Sequence, residues 1–443
     1  MHRFRVIAVA TGGALSLCFT VGFVACSSND RPGVGSSSGI VGPVSEGGTI
    51  DMEASAPVEA AAPPPDGYDG GVGLGLADIA DTPCGMRGGA LSVVLPGVPG
   101  VPDVDGGDGG SAGTPAASLR NLHVLGTRRL AETIADPSFV LFDADGKNAK
   151  VVTTALAQGT SAVLGQEALY AGFRDTSGAE VALQAYDATG AAGADVTLAG
   201  EDPEGLAAAV DSTAAFFVWG NRTRATFQAR AFGAGAAAAD GTQPYDFARG
   251  VVVTAPSIAV ATVKDGLFAA AFSTGSDGSF ITAFGRGSRT ARAGDPSLLF
   301  SGAVGARVTG LARTPSGFAI LFTVQDSSKP YAMLVLTDVG GRRTSAGLKL
   351  VGTIEGSAIA TNGSEIGVLA HRREAGKVAV EFRAFDLAGA PVAPWVCLDT
   401  PGDDVDLGGG LTADGAGYSA IFGAADGSAS LARFDHVGTG ALP

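Results

Sequence analysis

The residues able to do chemistry are few and scattered. Histidine occurs four times in 443 residues. His123, His371 and His436 stand far apart, and no two of them have the spacing of metal ligands. Neither HExxH nor CxxC is present. Two Gly-x-Ser-x-Gly strings occur, GSSSG from 35 and GGSAG from 109. Both lie in Gly/Ser/Pro-rich sequence, without the strand-to-helix turn that exposes a nucleophilic serine. Asp103, Asp105 and Asp108 open in the manner of a calcium loop, but the twelfth position is Thr114 where a bidentate Glu is needed. The residues therefore predict no catalytic constellation, no metal and no cofactor.

Charged clusters offer binding instead. Arg222 and Arg224 lie in GNRTRA, His371, Arg372 and Arg373 in AHRREAG, and Asp403, Asp404 and Asp406 in LDTPGDDVDL. Each cluster sits where a turn is expected. Such charges commonly do no more than solvate a loop, yet loops on a rigid scaffold are also where recognition concentrates. They form a candidate binding face if the fold gathers them at one end.

The elements that would position them repeat. An apolar strand followed by Asp-x-x-Gly or a Gly-rich variant recurs at Asp143, Asp187, Gly233, Gly285, Asp338, Asp386 and Asp435, at intervals of 44 to 53 residues. Ahead of six of the seven runs a bulky strand, such as AFFVW at 215 or FAILF at 318. Before most of these comes a strand of small residues closed by an Asp/Asn/Gly turn, the chemistry that tight hairpins require. The unit is four antiparallel strands in 45–50 residues, with small residues on the strand that crowds an axis. That is the blade of a β-propeller. The repeat resembles the WD40-like and kelch-like propeller class over residues 119–443, in period and strand pattern only. It carries no Trp-Asp signature and no kelch set, so no particular family is implied.

An all-β fold with seven blades is the first expectation and six the second. A stacked β-solenoid or paired β-sandwiches are the alternatives. Residues 119–138 would have to supply the first two strands of the first blade. The last blade lacks an outer strand, which an N-terminal strand would fill, removing an exposed edge.

The N-terminus reads as an address. Arg3 and Arg5 precede an uncharged stretch from Val6 to Ala25, and Cys26 follows, the layout of a secretory signal. The stretch FVAC resembles the lipobox of bacterial lipoproteins, with Phe23 where Leu is usual. The resemblance implies cleavage after residue 25, lipidation of Cys26 and a membrane tether outside the cytoplasm, with the outer membrane favoured. An uncleaved spanning anchor is the alternative. Residues 26–118 are rich in Gly, Pro, Ser and Asp and carry twelve acids against two arginines, so they read as a disordered spacer.

Most of the net charge of −15 thus belongs to the spacer and not to the domain, and nucleic-acid binding is not expected. Cys18 would leave with the signal, so Cys84 and Cys397 either pair as a disulfide or stay free. Taken together, these features predict an envelope lipoprotein whose propeller binds a protein or glycan. A propeller enzyme acting on a glycan and a purely structural envelope component are the rivals.

Overall fold

The computed structural model describes residues 85–86, 91–94 and 119–434, the last with short breaks of which 399–408 is the longest. Cys26, Cys84, Asp103, Asp105, Asp108, Asp403, Asp404, Asp406, Asp435 and His436 lie outside the described residues.

The fold is a seven-bladed β-propeller of antiparallel sheets. Blade 1 comprises Leu119–Leu125, Arg128–Thr133, Ser138–Asp143 and Lys150–Thr153. Residues 119–133 thus supply the two strands whose match to the repeat is weakest. The innermost strands of blades 2 to 7 are Ala157–Leu164, Pro203–Val210, Ser257–Lys264, Ala306–Thr314, Thr353–Thr361 and Gly409–Asp414. Blades 1 to 5 then run outward in chain order, and blades 6 and 7 do so up to an outer strand contributed from ahead of blade 1.

Apolar packing falls between blades, one cluster at every seam. A second strand therefore has a neighbouring blade on both of its faces. This is why Ala215–Asn221, Gly317–Val324 and Gly417–Gly423 are buried throughout and read as continuous apolar runs rather than alternating ones. Rings from adjacent blades interlock there: Phe227 and Phe272 have centroids 4.4 Å apart, as do Phe382 and Phe434. Such a pair adds about 0.5–1.5 kcal/mol to what burial alone supplies. Near the axis there is no such room. A Cβ on Gly410 would lie 2.6 Å from the backbone nitrogen of Leu122 in the next blade.

The recurring aspartate closes a five-residue turn. Asp386 Oδ1 accepts hydrogen bonds from the amides of Ala388 (2.9 Å) and Ala390 (2.7 Å), and Gly389 N donates to the Asp386 carbonyl at 3.0 Å. Asp187 and Asp338 repeat this arrangement. Gly389 needs to be glycine twice over. Its φ is +90°, and a Cβ there would come 2.7 Å from Leu348 Cδ1 of the preceding blade. One repeat position is corrected. Gly285 lies inside the strand Ser279–Ser288, where a Cβ would meet the Phe247 ring at 2.7 Å. The turn of blade 4 begins at Ser288, whose Oγ takes the place of the aspartate and accepts from Ala291 N at 3.1 Å.

Closure draws on the chain ahead of blade 1. Leu91–Val94 pairs antiparallel with Ala429–Phe434 as the outer strand of blade 7. Gly85–Met86 pairs parallel with Val396–Cys397 as a fifth strand on blade 6. Both strands lie within the stretch read as spacer, so that reading does not hold for residues 85–86 and 91–94. Among the described residues no helix is long and apolar enough to cross a membrane.

Candidate binding face and axial channel

Loops joining an outermost strand to the next innermost strand emerge at the same end as turns joining second to third strands. Blade 3 shows this directly. Arg222, in the turn after Ala215–Asn221, sets Nη1 3.1 Å from Glu204 and Nε 3.7 Å from Asp202, at the entry to the innermost strand. These partners are solvent-exposed or half-buried, so the pairs orient Arg222 more than they stabilise the fold.

Arg224 lies two residues on and lines an open pocket of about 420 Å³ at the seam of blades 2 and 3, with Asn221, Gln228, Gln243, Leu198 and Pro244. A row of side-chain hydrogen bonds fixes its floor. Trp219 Nε1 (3.1 Å) and Asn221 Nδ2 (3.3 Å) donate to Gln228 Oε1, and Gln228 Nε2 donates to Asp246 Oδ1 at 3.2 Å. Asn221 Oδ1 in turn accepts from Arg224 N at 3.0 Å, which holds the turn over the pocket. Amide and guanidinium groups here surround a partly apolar hollow.

The blade 6 candidates separate from this face. The strand Glu365–Glu374 takes in the first five residues of AHRREAG, so His371 and Arg372 are strand residues and not loop tips. His371 is fully buried. Arg372 is nearly so, with Nη2 2.7 Å from the equally buried Glu381 Oε1. Arg372 pairs across the ladder with Ala379, two residues from Glu381, which is the diagonal reach of a long side chain. Only Arg373 stays half-exposed, with Nη1 donating to Gly376 O at 3.3 Å. Of the five described candidates, the fold keeps Arg222 and Arg224 together and turns His371 and Arg372 inward.

Sequence reasoning missed the axial channel. It has a volume of about 520 Å³ and is lined by two to four residues from the innermost strand of every blade, among them Arg120, Asn121, His123, Thr160, Ser161, Thr309 and Ser357, together with His371. Its wall is organised by Glu132, fully buried on the second strand of blade 1. Arg120 Nε (3.2 Å) and Asn121 Nδ2 (2.9 Å) donate to Oε2. Ser161 of blade 2 donates to Oε1 through its amide and through Oγ at 2.6 Å.

Nearby, burial pushes the Tyr170 hydroxyl up to about 12, with the Glu132 charge adding to the effect. Burial also lowers the affinity of His123 for a proton, against the opposing pull of Glu132. Cys397 is buried and disulfide-bonded, and the strand that pairs beside it begins one residue after Cys84. Among the described residues no three His, Cys, Asp or Glu side chains gather as a metal site.

No protein-family model and no curated protein matches the chain. Solved structures of similar shape exist at low identity. A prolyl endopeptidase is 16% identical with a TM-score of 0.49, over 74% of this chain and 48% of its own length. Hydrazine synthase of Kuenenia stuttgartiensis is 11% identical with a TM-score of 0.48, over 74% and 98%. The C-terminal WD40 domain of Sif2 is 12% identical with a TM-score of 0.38, over 70% and 80%. The chain thus spans about half the length of the prolyl endopeptidase. At these identities the likeness is one of fold.

Proposed function

We propose that this protein is a cell-envelope lipoprotein, tethered to a membrane through Cys26, whose propeller is a binding scaffold for a macromolecule or glycan. The observation that carries the reading is the turn bearing Arg222 and Arg224 at the mouth of the open pocket between blades 2 and 3. Arginine, amide groups and a partly apolar floor on a rigid blade form the composition of recognition sites, where a few anchors dominate the energy.

Three carboxylates favour binding over catalysis, because they are already engaged with neighbouring groups: the buried Glu132 with Arg120 and Ser161, the buried Glu381 with Arg372, and the half-buried Asp414 with Arg129 and Arg433. A carboxylate held by several donors orients structure and is poorly placed to move a proton.

The double variant Arg222→Ala/Arg224→Ala tests the face. Both residues lie in an exposed turn, where substitutions shift stability by only about 0.5 kcal/mol. Loss of a central arginine contact costs about 2 kcal/mol or more, well beyond tenfold in affinity. A partner recovered from envelope extract should therefore bind the variant much more weakly in titration, while the melting curve stays that of wild type. Equal binding by the two proteins would place the site elsewhere.

The tether has its own test. Cys26→Ser should leave the membrane fraction or remain unprocessed, and a wild-type protein that incorporates no palmitate analogue would refute lipidation.

A further inference from the structure

We propose that the axial channel is a second binding site, for a small neutral polyhydroxyl ligand of mono- or disaccharide size, held by Arg120 and Asn121 on one wall and by Ser357 on another. The site goes beyond the binding face and does not depend on it.

Size comes first. About 520 Å³ falls within the range of pockets that enclose small molecules.

Next is an adjacent donor and acceptor. Arg120 uses Nε on Glu132 and Nη2 on the carbonyl of Gly159 at 2.5 Å, while Nη1 donates no hydrogen bond among the described residues. Asn121 uses Nδ2 on Glu132 and Thr160, while Oδ1 accepts none among them. Two consecutive residues thus present a spare donor and a spare acceptor to the channel. A hydroxyl is both donor and acceptor, so vicinal hydroxyls match the pair.

The pair is also held in advance. Glu132 clamps both side chains and is itself fixed from blade 2 by Ser161, so little rotamer freedom remains to be lost on binding. Asn121 has φ +51°, at a register shift between Arg120 and His123. A bulge of this kind re-aims a side chain, and a non-glycine left-handed residue is a cost that structures retain at working sites.

Charge then decides the ligand class. Arg120 and Glu132 neutralise each other, and burial disfavours a charge on His123. An anion gains no net attraction from this wall. Across the channel, Thr309 Oγ1 lies 2.9 Å from Ser357 Oγ and 3.2 Å from the Leu321 carbonyl. A relay from Ser357 through Thr309 to Leu321 uses both protons and leaves the Ser357 lone pairs to accept from a ligand. Leu206, Ile258 and Val260 of blades 3 and 4 give the same channel an apolar side, suited to the C–H face of a sugar ring.

Titration calorimetry of the full chain tests the assignment, using glucose, N-acetylglucosamine and lactose as probes and phosphate and acetate as anionic controls. At least one sugar should bind saturably and more tightly than either anion. Asn121→Gly removes the acceptor at a backbone conformation that glycine favours, with loss of the bond to Glu132 as well, and should bind that sugar about tenfold more weakly, the worth of one good hydrogen bond. Ser357→Ala should weaken binding likewise and serves if the first variant melts differently. Arg222→Ala/Arg224→Ala should leave sugar binding unchanged, which separates this site from the face. The proposal is overturned if no sugar binds the folded protein, if phosphate or acetate binds as tightly, or if Asn121→Gly and Ser357→Ala bind the sugar as wild type does.

Discussion

Arg372 shows what a single side chain can conceal. Written in sequence beside His371, Arg373 and Glu374, it has the look of a solvated turn. In the fold it forms a buried pair with Glu381 at 2.7 Å. Removing one partner of such a pair strands the other charge in the interior, and Arg372→Ala should cost about 3–5 kcal/mol. Arg373→Ala, one residue away and half-exposed, should move stability by about 0.5 kcal/mol or less. Chemical denaturation of the two variants measures the contrast, and similar midpoints would show that the pair is not what holds this strand. Replacing Arg372 and Glu381 together by apolar residues of like size should recover most of the loss. The misreading has a physical origin. A charged triplet is a turn or a strand end depending on whether an opposite charge lies diagonally across the ladder, and that requires the register. Asp386, by contrast, was legible because its bonds are local and reach no further than Ala390.

At the scale of elements, the period and the alternation of small and bulky strands carried the architecture, because every blade solves the same packing problem. The outliers were elements without a repeat to mark them. Ser288 replaces aspartate at its turn with a hydroxyl that accepts from the same kind of turn amide, and nothing in its type announces that. Leu91–Val94 is a four-residue strand set in Gly/Pro-rich sequence, too short for periodicity to show. Its importance is disproportionate, because without it the edge of Ala429–Phe434 is open. A protein beginning at residue 119 should melt at a lower temperature and form larger species by light scattering, since unpaired edges template association. A monomeric truncated protein with wild-type melting would show that this strand is dispensable.

At the scale of the whole molecule, the seam that joins the last blade to the first carries an ionic cluster. Asp414 of blade 7 accepts from Arg129 of blade 1 at 3.0 Å, from Arg433 at 3.0 Å and from Ser419 at 2.7 Å. Burial works to raise its affinity for a proton, but the hydrogen bonds from Ser419 and Arg129 and the charges of both arginines outweigh it and hold the carboxyl below the usual range. The folded protein therefore binds this proton less readily than the unfolded chain, and protonation favours unfolding. The contribution is complete above the ordinary aspartate range and is lost as pH falls through it toward the depressed folded value. Melting temperatures measured down that interval should fall for wild type and fall less steeply for Asp414→Asn; identical slopes would remove Asp414 from the account. The channel belongs to this scale as well. It was illegible in the sequence because seven distant strands each contribute a few residues, and no local pattern can mark a cavity that exists only when a ring is shut.

The same ring sets a clock on biogenesis. Leu91–Val94 is made before any blade, and its partner Ala429–Phe434 is the last strand described, so the contact that shuts the ring spans nearly the whole domain. Joining it carries the entropy of closing a very long loop, and such distant contacts form late. Until the final hairpin has been synthesised, the growing chain is an open ribbon with no closed form to fall into. A chain released before that hairpin is made lacks the closing strand pair of the finished ring.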